Sequence, residues 1–204
     1  MGLIFKWKIE KILVLPFGGL TIFQECINRP IMEEFLVCIA GPIFQIIYYF
    51  LTLSFWNISS IHYSLLIFNL LPIVPLDGSK LLNLLFSKFF SFYVSMKLTN
   101  IVSLIVMFIF LIYTVFTHNL MLLLTMIFLL IKTIDNVKIL DYVFNRFLLE
   151  RYMNISNFHK IKKVYNLNLK KMRRDYKHIF YYQKKSYTEK EIIRKRFDLQ
   201  GKVW

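Results

Sequence analysis

A chain of 204 residues that is 57% hydrophobic, with 21 Phe and a mean hydropathy of +0.52, is too apolar for an ordinary soluble domain. The composition therefore predicts an integral, multi-pass membrane protein. Its formal charge of +14 is uneven, since residues 132–204 hold 19 Lys and Arg against 7 acids, whereas residues 1–131 hold 7 against 5. Because Lys and Arg mark the cytoplasmic side of membrane proteins, we interpret the basic segment as a topological signal and expect no nucleic-acid partner.

Residues 1–34 are predicted to form an N-terminal strand and loop segment. Apolar and charged residues alternate over residues 5–10, and the apolar run that follows is interrupted by Pro16-Phe17-Gly18-Gly19. Alternation followed by a Gly-Gly turn predicts a short β-hairpin. The pattern fits a hairpin on the protein surface as well as one that inserts into the membrane or pairs through its edge.

The first membrane-spanning helix is predicted to begin at Asn28-Arg29-Pro30. Proline is tolerated in the first turn of a helix, and Glu33 and Glu34 would complement its positive end. The 22 positions from 35 to 56 carry no formal charge, which is enough to cross about 30 Å of hydrocarbon. We expect Ala40-Gly41-Pro42, within this run, to pack closely against a neighbouring helix.

A second apolar run, residues 61–76, follows a polar link at 57–60 and ends in a broken motif. At 16 residues the run is short for a straight crossing, and Pro72 and Pro75 are expected to end its helix. Asp77 follows, and an ionised Asp deep in a bilayer costs about 3 kcal/mol, while unwound backbone is tolerated there only inside protein or beside a cavity. The motif therefore predicts a functional pocket, although Asp-Gly is also a common turn at a membrane surface.

Two further apolar runs, residues 98–116 and 120–131, are predicted to form a membrane hairpin that turns at Thr117-His118-Asn119. We expect the Lys-bearing connection 77–97 and the basic tail to lie on the cytoplasmic side. This arrangement gives about four crossings with both ends inside, and residues 35–132 then form the transmembrane core.

Residues 133–204 are predicted to form a basic cytoplasmic α/β tail. Apolar residues from Val137 to Phe147 recur at helical spacing, which predicts an amphipathic helix up to about Tyr152. Residues 178–182 are typical of a strand, and Thr188 with Glu191 forms a capping-box pattern. The predicted fold class is thus an all-α membrane protein with a short N-terminal β-hairpin and this tail.

Four motifs, in order along the chain, resemble those of the site-2 protease family of intramembrane zinc metalloproteases. They are Pro16-Phe17-Gly18-Gly19, then Asn28-Arg29-Pro30 with Glu33-Glu34-Phe35, then Ala40-Gly41-Pro42, and finally N-x-x-P-x-x-P-L-D-G over residues 69–78. The resemblance runs from about residue 5 to residue 152 and is closest to the sporulation branch of the family, which processes a sigma-factor precursor. Residues 160–197 also resemble part of a CBS module, in a degenerate form to which nucleotide binding is not carried over.

The resemblance implies a zinc peptidase with defined roles for the motif. Asp77 would be the third zinc ligand, beside the two histidines of an H-E-x-x-H helix. Asn69 would position the substrate backbone near the oxyanion, Pro75 would help to hold the unwound segment open, and Gly78 matches the glycine after the Asp. Ser79 stands where the family commonly has a second glycine. The implied partners are the lipid bilayer, a membrane-associated substrate such as a sigma-factor precursor, and inhibitory or scaffold membrane proteins.

The sequence departs from the family because it contains no H-E-x-x-H. Its four histidines, His62, His118, His159 and His178, are scattered and lack i, i+4 partners. One Asp does not hold a catalytic zinc, so Zn2+ is expected only with an H-E-x-x-H helix, which the resemblance places within one or two turns before Met1. Whether the chain is an active enzyme stays open at this point. The alternatives are a catalytically inactive membrane scaffold and, less supported, a transporter.

Overall fold

The computed structural model describes residues 5, 9–15, 18–23, 27–51, 56–117, 120–153, 158, 160–183 and 185–198. The elements within these residues are the strands β1 (Ile9–Leu15) and β2 (Gly18–Phe23), the helices α1 (Ile31–Leu51), α2 (Trp56–Leu70), α3 (Asp77–Phe89), α4 (Phe92–Thr117), α5 (Leu120–Lys138) and α6 (Leu140–Met153), the strands β3 (Lys160–Val164), β4 (Tyr176–Tyr182) and β5 (Lys185–Thr188), and the helix α7 (Glu189–Asp198). A 3-10 turn, Leu169–Lys171, lies between β3 and β4.

The N-terminal hairpin and the start of the first long helix are confirmed. β1 pairs antiparallel with β2, and Leu15 lies opposite Gly18. Residues 16 and 17, on which part of the turn prediction rests, lie outside the described residues, as do residues 6–8. Helix α1 begins directly after Pro30 and carries Glu33 and Glu34 in its first turn, as its sequence predicts.

Three helices in the described part of the chain are long and apolar enough to cross a membrane. They are α1, the first 23 residues of α4, and α5. Large apolar side chains on these helices point outward, among them Phe44, Phe108 and Met121, which are 66%, 65% and 75% exposed. Such exposure is expected of helices that face lipid. The second of the four predicted crossings corresponds to α2, which at 15 residues is too short to be counted with these three helices.

Several predicted boundaries are wrong at the helix ends. The link predicted at 57–60 is helical and belongs to α2. Helix α4 begins at Phe92 rather than at residue 98, because Phe92 is buried and stacks on Phe147 with ring centroids 4.2 Å apart. The Lys-bearing connection predicted from residue 77 is also helical, and it forms α3 and the first turns of α4. Leu84 and Ser87 are buried on α3, and the Ser87 hydroxyl lies 3.0 Å from that of Ser95 on α4.

The C-terminal region, which runs from α6 to α7, forms a small mixed sheet covered by helices. β3 pairs parallel to β4, and β4 pairs antiparallel to β5. The core beneath them is built from the buried residues Phe92, Phe144, Phe147, Leu148, Val164, Leu169, Met172, Phe180, Ile192 and Ile193. The predicted capping box is confirmed, since the Thr188 N–H donates to Glu191 at 3.1 Å and the Glu191 N–H donates to Thr188 Oγ1 at 3.4 Å. The division of the chain at residues 34 and 132 stays a prediction.

Candidate functional site

An unwound segment separates α2 from α3, as the prolines predict. Helix α2 ends at Leu70, residues 71–76 are not helical, and α3 begins at Asp77. The segment turns through two short backbone hydrogen bonds, from the Ile73 N–H to the Leu71 carbonyl at 2.8 Å and from the Leu76 N–H to the Ile73 carbonyl at 2.7 Å. The Val74–Pro75 peptide bond is cis. The break therefore places Asp77 at the positive end of a new helix, where a carboxylate is stabilised.

The Asp77 carboxylate faces α1 and is partly accessible. Its Oδ1 lies 3.2 Å from the Lys80 ammonium group, and the Asp77 side chain is 37% exposed. A Cβ added to Gly41 on α1 would lie 3.6 Å from Asp77 Oδ2, which is an ordinary van der Waals distance. Gly41, the smallest residue of Ala40-Gly41-Pro42, thus lies beside the Asp77 carboxylate of α3, in the motif for which close packing against a neighbouring helix is predicted.

Gly78 lies where no side chain fits. A Cβ at this position would lie 2.1 Å from the Leu70 carbonyl oxygen and 2.5 Å from that of Leu71. The glycine therefore lets the first turn of α3 pack directly on the last turn of α2. Asn69, half-buried, belongs to this last turn of α2, and Pro75 lies in the unwound segment.

The structure adds contacts that the motif did not reveal. Hydroxyl groups from two membrane-length helices, Ser103 on α4 and Thr133 on α5, bond to the backbone of the unwound segment. Both residues are fully buried. In the sequence, Ser103 and Thr133 are visible only as hydroxyl side chains within apolar runs. The sequence does not indicate which backbone groups these hydroxyls contact.

The metal ligands present do not fit a complete zinc site. In the described ranges, no group of three or more His, Cys, Asp and Glu side chains is close enough to hold a metal ion. His62 contacts the Tyr48 ring and His178 bonds to Glu189 at 2.7 Å, while His118 and His159 lie outside these ranges. A hydrolytic zinc takes three protein ligands, and Asp77 supplies one carboxylate.

A second charged cluster joins the C-terminal region to the start of α1. Arg174 pairs with Glu34 in the first turn of α1 and donates to the Arg29 carbonyl at 3.0 Å. Arg151 on α6 lies deeper, where burial lowers the pKa of its guanidinium and the neighbouring Glu189 carboxylate acts in the opposite direction. The C-terminal region thus contacts the helix that faces Asp77.

Helices of membrane-spanning length define an integral membrane protein. Its candidate site is the broken segment between α2 and α3, which ends at the Asp77 carboxylate. The model of peptidase family M50 matches residues 51–113, which include the whole broken motif. Residues 51–113 accordingly form a segment of the peptidase family M50 type, the family of the site-2 proteases. The resemblance seen in its motifs is confirmed.

Two curated proteins and one solved structure are similar to this chain. The chain is 36% identical over 165 residues to stage IV sporulation protein FB of Bacillus subtilis, covering 74% of the chain and 57% of that protein. It is 30% identical over 135 residues to zinc metalloprotease MJ0392 of Methanocaldococcus jannaschii, covering 59% of the chain and 39% of that protein. A solved site-2 protease from Methanocaldococcus jannaschii superposes with a TM-score of 0.50 at 27% identity, covering 63% of the chain and 65% of that structure. The chain thus spans about half the length of the curated relatives it matches.

Proposed function

We propose that this chain is the Asp-bearing part of an intramembrane zinc metalloprotease of the site-2 type. The observation that carries the proposal is the position of Asp77, at the start of a helix, beside Gly41 and next to a break in an apolar helix. A carboxylate within a membrane-spanning region is costly unless it is used. The family assignment and the two relatives named as a protease or a sporulation protein support the same function.

The motif residues have distinct proposed roles. Asp77 is one ligand of a zinc ion whose two histidine ligands belong to an H-E-x-x-H pair, which these 204 residues do not contain. Asn69, in the last turn of α2, orients the substrate backbone, and Pro75 keeps the segment between them unwound. Gly78 sets the distance between α2 and α3 and so fixes where Asp77 stands.

The proposed substrate is a membrane-associated protein of the sigma-factor precursor type, which is suggested by the sporulation relative. Inhibitory or scaffold membrane proteins are proposed as further partners. We also propose that α2 completes a fourth crossing and that the basic C-terminal region is cytoplasmic, since it carries most of the positive charge.

A chimeric protease tests this function. The chain is joined behind an H-E-x-x-H helix from a family member and expressed with a membrane-anchored sigma-factor precursor. Cleavage is expected, and Asp77→Asn is expected to abolish it while expression stays intact. Lys80→Ala is the matched control, because it removes the ion-pair partner of Asp77 and leaves the carboxylate in place. Cleavage at the parent rate in Asp77→Asn overturns the assigned role, and binding of the precursor without any cleavage supports the scaffold alternative.

A further inference from the structure

Unwound backbone inside a helical membrane core leaves polar groups that a helix would have paired. In this chain the groups belong to Pro72 and Val74, two and four residues after α2 ends. Lipid offers no hydrogen-bond partner for such groups, so they must be satisfied within the protein. The partners found for them come from distant parts of the chain.

Ser103 on α4 satisfies two of these groups at once. Its hydroxyl donates to the Pro72 carbonyl at 2.9 Å and accepts the Val74 N–H at 3.3 Å. A serine hydroxyl has one donor hydrogen and acceptor lone pairs, and both capacities are used here. The side chain is fully buried, so water does not compete for these bonds.

Thr133 on α5 satisfies the third group. Its hydroxyl lies 3.1 Å from the Val74 carbonyl oxygen and 2.9 Å from the Leu129 carbonyl of its own helix, so one hydrogen is shared between two acceptors. Thr133 is fully buried as well. Between the two bonded residues, the fully buried Ile73 side chain packs in the apolar cluster that includes Met107 of α4 and Leu129 of α5.

We propose that Ser103 and Thr133 are positioning residues that hold the Pro72–Val74 backbone and thereby fix Asp77 against α1. The role of this placement in catalysis rests on the proposed function, but the placement itself does not. Only two residues separate Val74 from Asp77, the first residue of α3, and the first turn of α3 packs on the end of α2 through Gly78. A shift of the segment is therefore passed directly to Asp77.

The placement is measured by chemical crosslinking of the 204-residue chain in membranes. The parent variant carries Cys26→Ser and Cys38→Ala, together with Gly41→Cys and Asp77→Cys at the two facing positions. A short bis-methanethiosulfonate reagent links the introduced thiols, and mass spectrometry of the joined peptides gives the rate. Ser103→Ala with Thr133→Val is expected to slow crosslinking about fivefold or more, because it leaves buried backbone groups unpaired.

Two kinds of control variant separate positioning from general packing. Thr114→Val and Thr125→Val remove hydroxyls that donate to carbonyls of their own helices at 2.7 Å, and the rate is expected to stay within about twofold of the parent. Ser103→Thr with Thr133→Ser keeps both hydroxyls and is expected to restore the parent rate.

An unchanged rate in Ser103→Ala with Thr133→Val overturns the proposal, and so does an equal loss in the Thr114→Val or Thr125→Val control. The crosslink needs no metal, substrate or cleavage. A chimera that fails to cleave its precursor therefore contradicts the proposed function only. The positioning role of Ser103 and Thr133 is tested by the crosslinking rate alone.

Discussion

The carboxylate of Asp175 caps helix α1 at Ile31, 144 residues earlier in the chain. The Ile31 N–H lies 3.3 Å from each oxygen of Asp175, and Ile31 is the first residue of α1. The first N–H groups of a helix have no partner within the helix, and a nearby carboxylate both accepts a bond and complements the helix dipole. The C-terminal region thus stabilises the end of the helix whose Gly41 faces Asp77.

Removal of this cap is expected to loosen the first turn of α1. Asp175→Ala should destabilise the protein by about 1–2 kcal/mol, since a lost cap costs about 1 kcal/mol and Asp175 has a φ of 58° that alanine adopts less readily. Asp175→Asn should have a smaller effect, because its amide oxygen still accepts and Asn tolerates this φ. Hydrogen exchange of the α1 amides and thermal unfolding in detergent measure both. Unchanged exchange at the first turn of α1 in Asp175→Ala would contradict the capping role.

Arg151 is the buried centre of the C-terminal region. Its guanidinium donates to the carbonyls of Tyr176 and Arg173 at 2.7 and 2.8 Å and to Asn28 Oδ1 at 2.8 Å. Its side chain is fully buried beside Glu189 at 3.5 Å. Asn28 in turn donates to the Phe147 carbonyl at 3.1 Å, so one arginine links α6, β4 and the residues before α1.

Removing one charge from this arrangement should strongly destabilise the protein. Arg151→Met is expected to destabilise the protein by about 3–5 kcal/mol, because Glu189 is then left buried with less compensation. Arg151→Lys should recover little, because an ammonium group lacks the planar fork that reaches several acceptors. Arg151→Met with Glu189→Gln should be more stable than Arg151→Met alone. Thermal unfolding in detergent of the parent, of Arg151→Met, of Glu189→Gln and of the double variant gives the coupling between the two side chains. Strictly additive effects would show that the two side chains do not interact.

Local signals in the sequence predicted the local features of the fold. Pro30 with Glu33 gave the start of α1, Pro72 and Pro75 gave the end of α2, and Thr188 with Glu191 gave the cap of α7. Each of these signals acts within about one helical turn, where the side chain and the backbone it affects are neighbours in sequence. The same reasoning located Asp77 at the break.

Contacts between distant residues were not predictable in this way. The Ser103 hydroxyl bonds to a backbone group 31 residues earlier, and Thr133 to one 59 residues earlier. Nothing in the apolar pattern of α4 or α5 specifies which hydroxyl meets the unwound segment. Helix α3 was not predicted for a related reason, because its lysines indicated a connection between crossings and the burial of Leu84 and Ser87 is not visible in the local pattern.

Two glycines at the site should respond in opposite ways to alanine. Gly78→Ala should destabilise the protein by about 1–3 kcal/mol or more, because its Cβ meets backbone carbonyls that do not move aside easily. Gly41→Ala should be tolerated, because the contact of its Cβ within the described part of the chain is with Asp77 Oδ2 at 3.6 Å, an ordinary van der Waals distance. Thermal unfolding and membrane expression compare the two variants. Equal stability of Gly78→Ala and the parent protein would mean that α2 and α3 do not pack as described.

Zinc binding should depend on ligands beyond Asp77. A single carboxylate does not hold a catalytic zinc, and its carboxylate already lies beside Lys80, so the purified 204-residue chain is expected to retain no stoichiometric zinc after dialysis. The chimera with an H-E-x-x-H helix should retain one zinc per chain, and Asp77→Asn in that chimera should lower the zinc content, because a ligand is lost while the histidines remain. Elemental analysis of the three purified proteins gives the metal content directly. Tight equimolar zinc in the 204-residue chain alone would show that its own residues form a metal site, and retention of zinc in the Asp77→Asn chimera would remove Asp77 from the ligand set.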